Sequence, residues 1–132
     1  MMVMGVSSTA LAGNSPPSTT GSLPYYTSRT TMSSYAYTNT KWAPSSSGEI
    51  YVAVSYKTIN GENANFYNRL YWGSEERVSH KAATGSSANK AATRFYNLST
   101  DKVYSVKFTT NNKLTFKAGC GKTLAAAKNY TF

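Results

Sequence analysis

Alternation of apolar and polar residues with a period of two is the feature that most constrains the fold of this chain. It is clearest from Ile50 to Lys57, where IYVAVSYK places a bulky apolar side chain at every second position. Successive side chains of a strand point to opposite faces of a sheet, so the pattern predicts a strand with one buried face. Asn60 and Gly61 follow, and both residue types tolerate the positive φ of a tight turn.

The same alternation predicts further strands along the chain, while patterns with the helical period are nearly absent. Their inward-facing residues are predicted to be Phe66, Asn68, Leu70 and Trp72, then Tyr104, Val106 and Phe108, and finally Leu114 and Phe116. Val78 is placed in a short, weaker strand, and Phe95 and Leu98 end the strand that follows it. Short strands separated by Gly, Asn, Ser and Pro are typical of sandwiches and barrels. We therefore expect an all-β fold, an antiparallel β-sandwich of about seven or eight strands with a disordered N-terminal segment.

Two segments give a mixed signal. Residues 81–93, KAATGSSANKAAT, are small and polar, which predicts a loop, although the two KAAT halves could instead pair as a short hairpin. In residues 122–132, LAAAK favours a helix and NYTF favours a strand, and we expect a closing strand. Gly119 and Gly121 surround Cys120, which predicts a turn carrying a small, inert thiol.

The first residues carry the features of an export signal. Residues 1–12 read MMVMGVSSTALA and end in the A-x-A pattern, Ala10 to Ala12, that a signal peptidase requires. The segment is short and has no Lys or Arg before its apolar part, so we expect a remnant of a signal peptide, and simple disorder is the alternative. The sequence thus predicts a bacterial protein that is secreted or held at the cell surface.

The following residues separate this signal from the folded part. Residues 13–30 are rich in Ser, Thr, Pro and Gly, which predicts a flexible lead-in, and residues 31–132 are expected to form the sandwich domain. No apolar run reaches the ~18 residues needed to span a bilayer as a helix, so no transmembrane segment is expected.

The charge balance points to an anionic partner. The chain has 14 Lys and Arg residues against 5 Asp and Glu, a formal net charge of +9. The cations are scattered singly and form neither a nucleic-acid-binding arm nor a polybasic membrane anchor. We therefore expect an anionic polymer, glycan or protein as the partner, and not a nucleic acid.

The sequence is poor in the groups that enzymes and metal sites use. His80 is the single histidine and Cys120 the single cysteine, so neither a zinc site nor a disulfide within the chain can form. The acidic residues are scattered over the chain as Glu49, Glu62, Glu75, Glu76 and Asp101. We therefore expect no catalytic residues, no metal, no cofactor and no enzymatic activity.

One stretch resembles a known structural feature. From Leu98 to Phe108 the sequence LSTDKVYSVKF places a leucine six residues before Tyr104, which is followed by alternating apolar residues. This resembles the tyrosine corner of fibronectin type III and immunoglobulin-like sandwiches, in which the tyrosine hydroxyl bonds to the backbone a few residues upstream. Residues 48–118 are also similar to small bacterial sandwich domains of the pre-peptidase C-terminal type. That resemblance implies an accessory, adhesive or targeting role. The acidic residues that hold calcium in some members of that family have no obvious counterpart in this chain.

A possible binding face follows from the strand alternation. Tyr51 and Lys57 are predicted to point outward from one strand, and Tyr67, Arg69 and Tyr71 from the next. If these two strands pair, one face carries tyrosines interleaved with cations, which suits an anionic glycan or wall polymer. The alternative is that the tyrosines only stabilise neighbouring strands.

These observations favour an exported, non-catalytic module that binds an anionic or carbohydrate polymer, or a protein, at the cell surface. Two alternatives remain open. One is a subunit of a self-assembling surface structure, in which an open sheet edge or the flexible N-terminal arm pairs with a neighbour. The other is a secreted cationic toxin or bacteriocin-like protein.

Overall fold

The computed structural model describes residues 9–10 and 12–129, which form ten strands and one short helix. Most of the predicted signal remnant therefore lies outside the described residues. The elements are β1 (Thr9–Ala10), β2 (Tyr25–Thr27), β3 (Thr30–Met32), β4 (Tyr35–Tyr37), β5 (Ile50–Thr58), β6 (Ala64–Trp72), β7 (Glu75–Gly85), β8 (Ser87–Phe95), β9 (Ser105–Thr110), β10 (Leu114–Gly121) and α1 (Leu124–Asn129).

The strands form two sheets. In the first sheet the order is β1-β2-β10-β5-β8, and β3 pairs with β10 beside β2. In the second sheet the order is β4-β9-β6-β7. The ladders are antiparallel apart from the short parallel pair of β1 and β2. The predicted all-β antiparallel sandwich is confirmed, with short additional strands from the first forty residues.

The predicted inward faces make up the core between the two sheets. Ile50, Val52 and Val54 of β5 are fully buried, as are Phe66 and Leu70 of β6. Removing a side chain of this size from water contributes roughly 1.5–3 kcal/mol to folding, so these positions dominate the stability of the sandwich.

Trp72 is an exception to the predicted inward pattern. It ends β6, beyond the apolar core, and its side chain is 39% exposed. The indole instead lies under two cations, 4.7 Å from Lys102 Nζ and 5.6 Å from Arg77 Cζ, measured to the ring centroid. The prediction that Trp72 points inward is therefore wrong.

Tyr104 forms the hydrogen bond expected of a tyrosine corner. The Ser99 backbone N–H donates to the Tyr104 hydroxyl oxygen at 3.0 Å, five residues upstream of the tyrosine. The backbones of Tyr104 and Trp42 also exchange hydrogen bonds of 2.7 and 2.8 Å, and Trp42 is fully buried. Together these contacts fix the chain where it enters β9.

Residues 81–93 are neither a loop nor a paired hairpin. They are the end of β7 and the start of β8, joined through Ser86, and the two strands belong to different sheets. Gly85, with φ of 140°, sits at the crossover, and the Tyr56 hydroxyl donates to its carbonyl oxygen at 3.1 Å. The sequence suggested a loop because the small side chains of this edge obscure the alternation.

The predicted closing strand in residues 122–132 is wrong for its described part, which contains helix α1. The helix packs against β10 and β5 on the outer face of the first sheet, where Ala127 is fully buried. Cys120 lies within β10 and not in a turn, and burial raises the pKa of its thiol.

Residues assigned to the flexible lead-in pack onto the sandwich. Gly13 and Tyr37 exchange backbone hydrogen bonds of 2.8 Å, and Leu23, Tyr25 and Tyr26 are buried. The folded unit therefore includes part of residues 13–30, because Leu23 and Tyr25 belong to the core and the Tyr26 hydroxyl donates to the Ala126 carbonyl oxygen of α1.

Candidate functional site

The five predicted binding residues lie on two different faces. β5 and β6 belong to different sheets, because the turn at Asn60 and Gly61 carries the chain from one sheet to the other. The pairing on which a single face depended does not occur. The outer face of the first sheet carries Tyr51 and Lys57, and the outer face of the second carries Tyr67, Arg69 and Tyr71.

The outer face of the second sheet gathers four tyrosines and two cations from three neighbouring strands. We call these residues the tyrosine face: Tyr35 and Tyr37 of β4, Lys107 of β9, and Tyr67, Arg69 and Tyr71 of β6. Lys107 lies opposite Tyr37 on one side and opposite Arg69 on the other. Antiparallel pairing thus brings side chains that are distant in sequence into one surface.

Lys107 stands at the centre of this face. Its Nζ lies 5.0, 5.3 and 6.0 Å from the ring centroids of Tyr35, Tyr37 and Tyr71. Tyr37 contacts the other two rings edge-on, at 5.8 Å from Tyr35 and 6.1 Å from Tyr71. Cation–π contacts of this kind contribute about 0.5–1 kcal/mol each at exposed sites. Among the described residues, no carboxylate forms an ion pair with Lys107.

Arg69 is held in place by its neighbours. Its Cζ lies 4.8 Å from the centroid of the Tyr67 ring, and its Nε–H donates to Thr109 Oγ1 at 2.9 Å. Nη1 donates to Ser79 Oγ at 3.1 Å and lies 3.5 Å from Glu76 Oε2. The guanidinium is therefore oriented by both adjacent strands, and Glu76 offsets part of its charge.

Three members of the tyrosine face were not expected from the sequence. Tyr35 and Tyr37 alternate around the buried Ala36, and Lys107 alternates between the buried Val106 and Phe108. These patterns mark them as outward-facing residues. The strand order β4-β9-β6, which joins them to Tyr67, Arg69 and Tyr71, comes from long-range pairing that no local pattern records.

Tyr51 occupies a different environment on the first sheet. Its hydroxyl donates to Glu49 Oε1 at 3.3 Å, and Glu49 also accepts a hydrogen bond from Arg94 Nε at 2.7 Å. The Arg94 guanidinium holds the pKa of the Glu49 carboxyl below its usual range. This cation is neutralised locally, so Tyr51 is not part of an open cationic surface.

The single histidine lies at a small cleft. His80 is exposed, with its ring 5.3 Å from that of Phe95 at a small apolar cleft of about 270 Å³. Residues 9–10 and 12–129 contain no group of three His, Cys, Asp or Glu side chains placed to hold a metal ion. Within the same residues no helix has the length and hydropathy required to cross a membrane.

Comparisons with protein-family profiles, curated proteins and solved structures found no match for this chain. The resemblance to other sandwiches therefore stands at the level of a two-sheet antiparallel architecture. What the tyrosine face can bind follows from its own geometry and chemistry.

Proposed function

We propose that this protein is an exported, non-catalytic module that binds an anionic polysaccharide through the tyrosine face. The observation that carries the proposal is Lys107, a cation without a carboxylate partner in the described residues, lying among the rings of Tyr35, Tyr37 and Tyr71. A cation next to several aromatic rings suits a ligand that carries negative charge and also presents a surface of C–H groups, as a sugar ring does.

The two kinds of side chain have complementary tasks. The tyrosine rings offer apolar area for the C–H face of a sugar ring, and their hydroxyl groups can bond to its hydroxyl groups. Lys107 and Arg69 can pair with carboxylate or sulfate groups on the polymer. The residues belong to three adjacent strands, so the surface extends across the sheet and suits a chain of sugars better than a single one.

Edge-to-edge self-assembly has less support from the same geometry. The eleven-residue β7 forms one edge of the second sheet, and its sequence, EERVSHKAATG, includes Glu75, Glu76, Arg77 and Lys81. Charged side chains on an edge strand oppose pairing with another chain. The tyrosine face lies on the three strands beside this edge, β6, β9 and β4.

Gel electrophoresis through immobilised polysaccharide tests the proposal. The protein is run through gels containing polygalacturonate, dextran sulfate or neutral dextran across a salt series. We expect retardation by the two anionic polymers that decreases as salt increases, because ion pairing is screened. Tyr71→Ala should weaken binding about tenfold, which is about 1.4 kcal/mol, since the ring contacts both Lys107 and the ligand.

Tyr96→Ala is the matched control. Tyr96 is 54% exposed, and the Cζ of Arg94 lies 4.9 Å from its ring centroid, much as Arg69 lies over Tyr67. It is outside the tyrosine face, so this variant should bind as the unmodified protein does.

Lys107→Gln separates a defined site from general charge attraction. We expect it to reduce retardation more than Lys122→Gln, which removes an equal charge from the exposed segment before α1. Equal effects of the two variants, or no retardation of the unmodified protein at low salt, would overturn the proposal.

A further inference from the structure

A second cationic surface lies on the opposite side of the molecule, on the outer face of the first sheet. There a depression of about 440 Å³ is lined by polar and basic residues, among them Arg29, Ser55, Lys57, Ser87 and Asn89. We call it the cationic depression. It is formed by the other sheet, and no residue of the tyrosine face lines it.

The charges around the cationic depression are of one sign. The chain has four arginines, and in the described residues Arg69, Arg77 and Arg94 each form an ion pair with a glutamate. Arg29 is the exception, and it is exposed. The described residues that line the depression include no acidic side chain, so the field of Arg29 and Lys57 is not offset among them.

Lys117 adds a third cation beside the depression. It points outward from β10 and pairs in register with Ser55 of β5, which lines the depression. On the neighbouring chain, Thr30 pairs with Phe116 and Thr27 bonds to Ala118. The link between β2 and β3 therefore places two residues, Ser28 and Arg29, opposite the single residue Lys117. Arg29 is thus brought next to Lys117 across the sheet.

The pairing of β5 with β8, on the other side of Ser55, is also irregular. The register of β5 with β8 shifts between Val54 and Tyr56, so that Asn89 and Lys90 together face Ser55. Lys90 adopts φ of 58°, a left-handed conformation that is uncommon for a residue with a side chain. Bulges of this type redirect side chains and occur often at functional sites. Irregular backbone therefore borders the Ser55–Lys117 pair on both sides.

The donors in the depression match a compact anion. Ser55, Ser87 and Asn89 offer hydroxyl and amide donors, and Arg29 and Lys57 offer charged ones. Tyr56 also contributes to the lining, but it is 4% exposed and its ring stacks on Phe66 in the core, at 5.2 Å. With no exposed ring among the described residues that line it, the depression favours a tetrahedral oxyanion over a carbohydrate ring.

We propose that the cationic depression binds a phosphate or sulfate group through Arg29, Lys57 and Lys117, independently of the tyrosine face. The guanidinium of Arg29 supplies two parallel donors to the oxyanion, and the lysines act as point charges beside it. The site is open, so the group can be free or carried on a larger molecule.

Titration with inorganic phosphate and inorganic sulfate, followed by two-dimensional NMR of the backbone amides, tests this proposal. We expect saturable shifts of the Ser87 to Asn89 amides at anion concentrations that leave the tyrosine-face amides unchanged. Arg29→Gln and Lys57→Gln should each weaken phosphate binding about tenfold, whereas Lys122→Gln should leave it within twofold. Shifts that do not saturate, or equal losses in all three variants, would overturn the proposal.

Further titrations distinguish the sources of the group. A phosphomonoester and a poly(glycerol phosphate) chain are compared with free phosphate at the same ionic strength. Tighter binding of the poly(glycerol phosphate) chain would assign the depression to a phosphodiester polymer, and tighter binding of the monoester or free phosphate would assign it to a terminal phosphate. Because these ligands carry no sugar ring for the tyrosine face, failure of one proposal leaves the other intact.

Discussion

The outer faces of the two sheets differ in what packs on them. On the second sheet the outward positions carry tyrosines and cations, and the tyrosine face remains open. On the first sheet the outward positions near one end include the small residues Ala53, Gly119 and Gly121, and helix α1 packs against them. Small outward side chains therefore leave the space that a helix needs to pack on a sheet face.

The contact between α1 and the first sheet is tight. A Cβ on Gly121 would lie 2.8 Å from Ala126 Cβ, and a Cβ on Gly119 would overlap the carbonyl oxygen of Ala127. The Tyr26 hydroxyl also donates to the Ala126 carbonyl oxygen at 2.7 Å. A six-residue helix is too short to be stable by itself, so these contacts hold it in place.

The largest expected effect is a change that gives the helix-covered face a side chain. Gly119→Ala should destabilise the protein by about 2 kcal/mol, because the added methyl group has no space beneath Ala127. Urea denaturation measures this loss, and faster trypsin cleavage at Lys122 or Lys128 would report release of α1. Gly13→Ala is the control, since its Cβ would come no nearer than 4.0 Å to Ser15 O. Equal stability of the two variants would contradict tight seating of the helix.

A smaller effect separates a structural tyrosine from a tyrosine of the open face. Tyr104→Phe removes the acceptor for the Ser99 N–H and should cost about 1–2 kcal/mol. Tyr67→Phe changes a hydroxyl group on the tyrosine face, away from the core, and should change the unfolding free energy by no more than about 0.5 kcal/mol. Thermal and urea unfolding of both variants provide the measurement. If Tyr67→Phe lowered the unfolding free energy by clearly more than this limit, the tyrosine face would contribute to the stability of the fold.

The smallest expected effect on stability comes from the ion pair of Glu49 and Arg94 on the outer face of the first sheet. Arg94 lowers the pKa of Glu49 in the folded protein below its unfolded value. The stability from this pair is therefore present above the unfolded pKa and is lost as the pH falls through the folded pKa. Melting temperatures of the unmodified protein and Glu49→Gln should converge as the medium becomes acidic. Arg94→Gln should remove the same acid-sensitive component, and the double variant should remove no more. A pH-independent difference would exclude this linkage.

The local predictions that proved correct rest on alternation and on one tyrosine motif. Ile50, Val52 and Val54 are buried as expected, and Tyr104 forms the corner that its spacing indicated. Both signals depend on residues close in sequence. Trp72 follows the same alternation but is exposed, because the period shows which way a side chain points and not where the core ends.

The candidate sites needed information that no local segment contains. Tyr67, Arg69 and Tyr71 were correctly expected to share a face, yet their partners on β4 and β9 depend on the strand order. Tyr51 and Lys57 were assigned to the same face and lie on the opposite sheet, because a tight turn can join strands within a sheet or between sheets. The cationic depression likewise depends on register shifts at Asn89 and near Arg29.

The sequence by itself determined the all-β class, the buried faces of β5, β9 and β10 and of β6 as far as Leu70, and the excess of positive charge. Only the tertiary structure decided which strands are neighbours, and hence that Lys107 lies among tyrosines while Arg29 and Lys57 line one depression. It also decided that residues 124–129 form a helix, since Gly119 and Gly121 provide the space that a helix needs. The physical reason is that side-chain direction is set by local backbone geometry, whereas strand order is set by burial of the whole core.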